Sequence, residues 1–401
     1  MRTERGAGVR DLSLYIHIPF CRQKCLYCDF LSVPASDGEM ESYVNLLCRE
    51  IEKQSIFYRE HRVISLFFGG GTPSLLPAGR IAGILERIQS CFSVAEDAEI
   101  TIECNPGTVT AEKLEHYIAC GINRISIGLQ STDDEELLRI GRIHDYAAFL
   151  ETYRLAREAG FQNINIDLMA GLPGQSVDSY RKTLKRVTAL APEHISAYSL
   201  ILEEGTPLYV NQSCYTFPTE EEDREMYLLT EKLLAAAGLH RYEISNYARE
   251  GRECRHNKVY WLRGDYVGFG LGASSMTADI RWKNPEVVKA YAECVERMSG
   301  SPESLRGLSL AEMLRETGRL EVQELTETEQ MEEFMFLGLR LTAGIDPADF
   351  RRIFGTPVET VYGEPIARLT AQGLLERAGK GLRLTPRGID VSNRVFAEFL
   401  F

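Results

Sequence analysis

From residue 12 to about residue 202, short β-branched runs alternate with longer amphipathic stretches. The short runs predict strands at Leu12–Ile18, Val63–Phe68, Glu99–Cys104, Arg124–Leu129, Asn163–Leu168 and His194–Ile201. Between them, Glu39–Glu52, Leu76–Cys91, Ala111–Ala119, Asp145–Glu158 and Val177–Leu190 read as helices. Strand followed by helix, repeated along the chain, predicts an α/β fold: a parallel sheet with helices outside, either open or curled into a barrel. Several runs stop on polar residues: His17, Thr72, Glu103, Asn105, Gln130 and Asp167. Sites in parallel α/β folds are built at the carboxyl ends of strands. Strands also simply meet water there, so taken alone these residues mean little.

Residues 203–300 continue with a helix at Glu221–Ala237 and an aromatic-rich stretch from Tyr242 to Phe269. The charged, turn-rich stretch 299–326 reads as a linker zone. Beyond it, Glu329–Leu341, Pro347–Phe354 and Val358–Gln372 predict helices, Gly373–Arg383 the two strands of a wing, and Pro386–Leu400 a last helix. Three helices and a wing suggest a winged-helix module. Residues 341–400 hold eight Lys/Arg and seven Asp/Glu, not the basic footprint of a DNA reader. The expectation is therefore a docking or packing module that covers or contacts the open mouth of the barrel. The resulting division is a tail at 1–11, a barrel core at 12–210, a barrel extension at 211–300 and the C-terminal module at 301–401.

With 44% hydrophobic and 26% charged residues among 401, the composition is that of a soluble globular protein. A net charge of −13 speaks against coating nucleic acid or docking electrostatically on an anionic membrane. No segment reaches the roughly 18 consecutive apolar residues of a membrane helix. Met1 to Arg10 carries no apolar region behind its charges, so a cytoplasmic protein is expected, touching a membrane at most through a partner. In that compartment the ten cysteines stay reduced. Seven are scattered and mostly read as small core residues; the other three, Cys21, Cys25 and Cys28, fall within eight residues.

Thiolates select zinc or iron–sulfur clusters. A structural zinc site wants four closed ligands, and no second Cys-x-x-Cys pair exists here. Three thiolates on one loop suit a 4Fe–4S cluster with three protein-bound irons and one open iron. Ferredoxin-type clusters are closed by four cysteines, so the missing fourth ligand is informative.

The segment Tyr15-x-His17-Ile18-Pro19-Phe20-Cys21-x3-Cys25-x-Tyr27-Cys28 resembles the radical S-adenosylmethionine (radical SAM) enzymes. Within that superfamily it is similar to the subgroup of oxygen-independent coproporphyrinogen III oxidase, HemN, and the heme chaperone HemW. The likeness runs from about residue 12 to the C-terminus. It implies a partial (β/α)6 barrel followed by a HemN-like winged-helix domain. It further implies a 4Fe–4S cluster on Cys21, Cys25 and Cys28, with S-adenosylmethionine bound nearby. Tyr15, Tyr27, Gly70, Gly71, Thr72 and Glu103 are the matching cofactor residues, joined by Gln130, Arg142 and Asp167. Each of these polar residues alone would be an ordinary surface group; their joint occurrence at successive strand ends carries the resemblance.

Two features bear on the subgroup. Coproporphyrinogen oxidases place a further cysteine two positions after the third cluster ligand, where this chain has Phe30, and usually carry a longer N-terminal extension. Secondly, His256-Asn257-Lys258-Val259-Tyr260-Trp261 resembles the His-Asn-x-x-Tyr-Trp motif connected with heme in the chaperone group. The resemblance thus implies heme as a third bound group, with His256 as a candidate axial ligand and Tyr260 and Trp261 against the macrocycle. A histidine that braces a loop is the bland alternative. The implied partners are heme and client hemoproteins such as respiratory enzymes, with no nucleic acid. A coproporphyrinogen III dehydrogenase and a HemN-like radical SAM methyltransferase remain the enzymatic alternatives.

Overall fold

In the first strands of the chain, apolar and polar residues alternate, and the pleat sends the two sets to opposite faces. These strands are β1 (Arg10–Ile18), β2 (His61–Gly70), β3 (Ser93–Cys104), β4 (Arg124–Gln130), β5 (Ile164–Ala170) and β6 (His194–Ser199). Leu12, Leu14, Ile16, Ile102, Ile125, Ile127, Ile164, Ile166 and Leu168 are fully buried in the large core beneath the outer helices. The intervening polar residues bond to one another across strands: Ser13 to Ser65, Ser126 to Asp167, and Asn165 to Ser126, His194 and Ser196. They therefore share the inner face of a curled sheet.

The computed structural model describes residues 9–298 and 308–401. Most of the expected tail at 1–11, and the expected boundary between residues 300 and 301, lie outside the described residues. The outer layer comprises α1 (Asp37–Ser55), α2 (Ala78–Cys91), α3 (Ala111–Ala119), α4 (Asp134–Arg139), α5 (Tyr146–Ala159) and α6 (Val177–Ala189), with α7 (Pro207–Val210) and α8 (Glu220–Ala236) following β6. Their starts are set locally. Ser36 with Glu39, and Thr219 with Glu222, form capping boxes at α1 and α8.

β1 to β6 pair in parallel and in sequence order, so the expected six-stranded half-barrel is present. It is extended at both ends into a 12-stranded sheet. Beyond β6 lie the antiparallel β8 (Asn246–Ala248) and β7 (His240–Arg241). Beside β1 lies the parallel β9 (Tyr266–Phe269), then the antiparallel β10 (Ser274–Thr277), β11 (Ile280–Lys283) and β12 (Leu320–Glu324). A short helix, α9 (Arg255–Trp261), crosses the barrel interior at the amino-terminal ends of the strands. There the backbone N–H groups of Arg255 and His256 donate to Glu99 of β3, and the His256 ring meets Ser65 of β2.

The rest of the chain is α10 (Val288–Arg297), α11 (Leu310–Glu316), α12 (Glu327–Gly338), α13 (Pro347–Phe354), α14 (Val358–Ala371), the hairpin β13 (Leu375–Ala378) and β14 (Gly381–Leu384), then α15 (Pro386–Asp390) and α16 (Ser392–Ala397). A second core of Met335, Phe350, Tyr362, Leu382 and Phe399 holds the last part together. Three expectations are corrected here. The last helix is broken, because Val391 at φ −123°, ψ 31° leaves helical geometry. The C-terminal module does not start at 301, since β12 pairs with β11 in the main sheet; the separate core begins with α12. Nor does the module cover the barrel mouth. It packs on the opposite, floor side, where the complementary groups are. Glu333 pairs with Arg263 (3.0 Å) and Arg281 (2.8 Å), and the Arg340 guanidinium lies 4.3 Å from the Trp261 ring centre.

One buried cluster ties these parts together. The Glu50 carboxylate of α1, fully buried, accepts from Gly270 N–H (2.8 Å), Asn284 Nδ2 (2.8 Å) and Tyr291 Oη (2.6 Å). It also pairs with Arg319, just before β12, at 3.0 Å.

Candidate functional site

At the carboxyl ends of the strands, opposite α9, the sheet opens into a cleft. The loop after β1 contributes Cys21, Lys24, Cys25, Tyr27, Cys28 and Phe30; the end of β2 and the turn after it contribute Gly70, Gly71 and Thr72. Glu103 and Asn105 come from β3 and its end, Ser126, Gly128 and Gln130 from β4, Asp167 from β5, and Arg142 from the segment after α4. Every expected cluster residue and all the expected cofactor residues except Tyr15 thus meet in one place.

Backbone bonds fix the cysteine loop at both ends and at its tip. Cys21 N–H donates to Val33 and Val33 N–H to Pro19, while Leu26 N–H donates to Ile140 and receives Leu208 N–H on its own carbonyl. The glycine run is required by contact as well as by conformation. At Gly70, with φ +109°, a Cβ would sit 2.5 Å from the His17 ring; at Gly71 it would sit 2.7 Å from the Phe20 carbonyl. Thr72 then reaches Cys21 Sγ (3.4 Å) and accepts from Asn105 Nδ2 (2.8 Å).

The three thiols are half-buried and free. Among the described residues, no three His, Cys, Asp or Glu side chains converge as ligands for a single ion. The thiols instead stand around the cleft wall, which suits a cluster in which each binds a different iron. Burial pushes the Cys28 thiol up to about 11, so metal loading there must release a proton. Arg142 stands beside Cys25 Sγ (3.6 Å) and bonds Asn105 Oδ1 (2.8 Å) and the Gly128 carbonyl (2.5 Å).

The opposite wall is acidic. Glu103 accepts Gly70 N–H (3.1 Å), and Asp167 accepts from Asn165 Nδ2 (2.7 Å) and Ser126 Oγ (3.2 Å). Burial, then the Asp167 charge, raises Glu103 to about 8; burial also raises Asp167. Two carboxyls facing one guanidinium across a polar cleft suit a ligand bearing both positive and negative groups. Gln130 projects into this wall from a strained backbone, φ 73°, at an irregularity in the β4–β5 register.

Tyr15 lies just beneath the cleft, its ring edge and Glu103 Oε2 both within 3.2 Å of where a Cβ on Gly69 would be. His256, Tyr260 and Trp261 are elsewhere. His256 is 1% exposed on the barrel floor, with Nδ1 3.0 Å from Ser65 Oγ and Nε2 2.9 Å from Tyr260 Oη. Both ring nitrogens are occupied, so neither is free for an iron in this conformation. Trp261 faces Arg340 of the C-terminal module, and Arg255 pairs with Asp97.

Residues 15–187 match the Radical SAM superfamily, and residues 325–391 match the HemN C-terminal domain. The chain is 34% identical over 391 residues to the heme chaperone HemW of Bacillus subtilis, covering 97% of this chain and 99% of the relative. The chain belongs to the HemW family. Escherichia coli HemW is 42% identical over 264 residues, 65% of this chain and 69% of that one. Among solved structures, the radical SAM enzyme coproporphyrinogen III oxidase, HemN, from Escherichia coli superposes with a TM-score of 0.83 at 24% identity, covering 99% of this chain and 91% of that one. That likeness shows the fold: a radical SAM α/β barrel with a helical C-terminal domain. A radical SAM protein of the HemW family carries the implication of a 4Fe–4S cluster and S-adenosylmethionine, and the thiol loop with the mixed-charge cleft fits both.

Among the cleft residues absent from the expected site, three shape its polar wall. Asn105 joins Thr72 to Arg142, while Ser126 and Gly128 form part of the wall. The inward alternation of Arg124, Ser126, Gly128 and Gln130 along β4 is the pattern that would have found the last two.

Proposed function

We propose that this protein is a heme chaperone built on a radical SAM scaffold, binding heme and passing it to a client hemoprotein, such as a respiratory enzyme, in the cytoplasm. Full-length identity to relatives named for that activity carries the reading. Phe30 supports it: the position two residues after the third cysteine offers the cleft rim an exposed apolar ring and no further thiol.

In this reading Cys21, Cys25 and Cys28 hold the 4Fe–4S cluster, which supplies one-electron chemistry beside its open iron. Gly70, Gly71 and Thr72 receive the amino-acid end of S-adenosylmethionine through backbone groups. Glu103 accepts hydrogen bonds from the cofactor's cationic end. Gln130, Arg142 and Asp167 surround its ribose or a second pocket, and Tyr27 hydrogen-bonds Arg142 beside the cluster loop. No helix among the described residues is long and apolar enough to cross a membrane. Heme capture by His256 would require α9 to leave the barrel, which breaks the two ring hydrogen bonds and both Glu99 contacts.

The test is anaerobic reconstitution followed by separate incubation with heme and with coproporphyrinogen III. A stable Soret band, transfer to an apo-hemoprotein and no protoporphyrinogen are expected. Decarboxylation of coproporphyrinogen III overturns the chaperone reading in favour of an oxidase.

A further inference from the structure

We infer that His256 is a positioning residue for the cofactor cleft, acting through Tyr15, and is not a heme ligand. The inference rests on the cofactor reading of the cleft but not on heme binding. Four contacts carry it from the floor to the cysteine loop. The His256 ring stacks on Phe67 at 5.2 Å between centres and lies 6.5 Å from the Tyr15 ring. Tyr15 Oη lies 3.1 Å from His17 Nδ1, and His17 Nε2 lies 2.9 Å from the carbonyl of Leu31. Leu31 is three residues past the third cysteine, Cys28, so the last contact fixes the exit of the thiol loop. Tyr15 also abuts the point where Gly69 and Glu103 meet, which sets the base of the acidic wall.

The brace is held in one state. Ser65 Oγ, the partner of His256 Nδ1, is itself bonded to Ser13 Oγ at 2.7 Å, and Tyr260 Oη holds Nε2. Burial, then the nearby Arg124 charge, lowers His256 to about 3, which keeps the ring neutral and able to donate at one nitrogen while accepting at the other. Glu99 caps the two backbone N–H groups at the start of α9, which fixes the helix that carries the ring. Residues one layer from a ligand often set affinity by orienting those that touch it.

The experiment uses the full chain, reconstituted anaerobically, as wild type, His256→Ala, His256→Gln and Tyr15→Phe. Iron and sulfide content, heme affinity, S-adenosylmethionine affinity by calorimetry, and the electron paramagnetic resonance spectrum of the reduced cluster with and without S-adenosylmethionine are read for each. His256→Ala is expected to keep its iron and its heme affinity, to bind S-adenosylmethionine about tenfold more weakly, and to lose much of the cofactor-induced change in the spectrum. His256→Gln should recover most of both, and Tyr15→Phe should shift them in the same direction even if the alanine variant folds poorly. Lost heme affinity or a shifted Soret band in His256→Ala, with S-adenosylmethionine binding intact, overturns the inference, as does wild-type behaviour in all variants. A wild type that binds no S-adenosylmethionine overturns the cofactor reading first, and the brace with it.

Discussion

Gln130 is a residue whose backbone and side chain pull in opposite directions. A left-handed conformation costs a non-glycine residue about 1–2 kcal/mol, yet it turns this amide into the cleft. Gln130→Gly should therefore stabilise the cluster-free protein in urea unfolding by up to about 1 kcal/mol, while weakening S-adenosylmethionine binding. Glu103 stores a similar conflict in protonation. Its folded value of about 8 lies above an ordinary 4.5, so the folded state binds the extra proton between those values. Stability from this group is full below about 4.5 and is lost as pH rises toward 8, at about 1.4 kcal/mol per unit before solvent screening. Urea unfolding of Glu103→Gln should show a flatter decline between pH 5.5 and pH 8 than wild type, and equal slopes would count against a buried protonated carboxyl. At this scale the cleft was largely legible, because Cys21, Cys25, Cys28 and the glycine run form compact local patterns. The inward-facing His256 was not. Its orientation depends on Ser65 and Glu99, some 190 and 157 residues away in sequence.

Among elements, the first six strands were found, five within a few residues and β3 only in its second half, because each carries its own run of β-branched side chains between helices with their own caps. What the pattern could not convey was pairing at the sheet edges. β12 is a short, mostly polar strand whose partner, β11, precedes it by about 40 residues, so nothing local marks it as part of the barrel. The attachment of α12 is similarly invisible, since Glu333 looks like one of several surface glutamates until it is seen between Arg263 and Arg281. Glu333→Ala leaves the Arg263 guanidinium, 7% exposed, partly unpaired. Removing one member of a buried pair costs about 3–5 kcal/mol. Limited proteolysis should then release the C-terminal module from the barrel much faster than in wild type; equal rates would mean that the apolar contacts of α12 suffice.

At the scale of the whole molecule, the Glu50 cluster decides whether barrel and extension form one unit. Gln54 of its own helix, Gly270, Asn284 and Tyr291 donate to a carboxylate with no solvent access, and Arg319 supplies its countercharge. Arg319→Met should lower stability by about 3–5 kcal/mol, with a large drop in melting temperature, whereas Glu50→Gln with Arg319→Met together should recover part of it. The same cluster has a consequence during synthesis. Glu50 leaves the ribosome 269 residues before Arg319 does, a delay of roughly 13–54 s at elongation rates of about 5–20 residues per second. Throughout that interval the first helix carries a carboxylate that cannot be buried with its countercharge, and for most of it, until residue 269 has emerged, the free edge of β1 has no β9 to cover it. The nascent barrel is thus an open sheet with an exposed edge until β9 arrives, and it holds an unpaired buried carboxylate until the last quarter of the chain does.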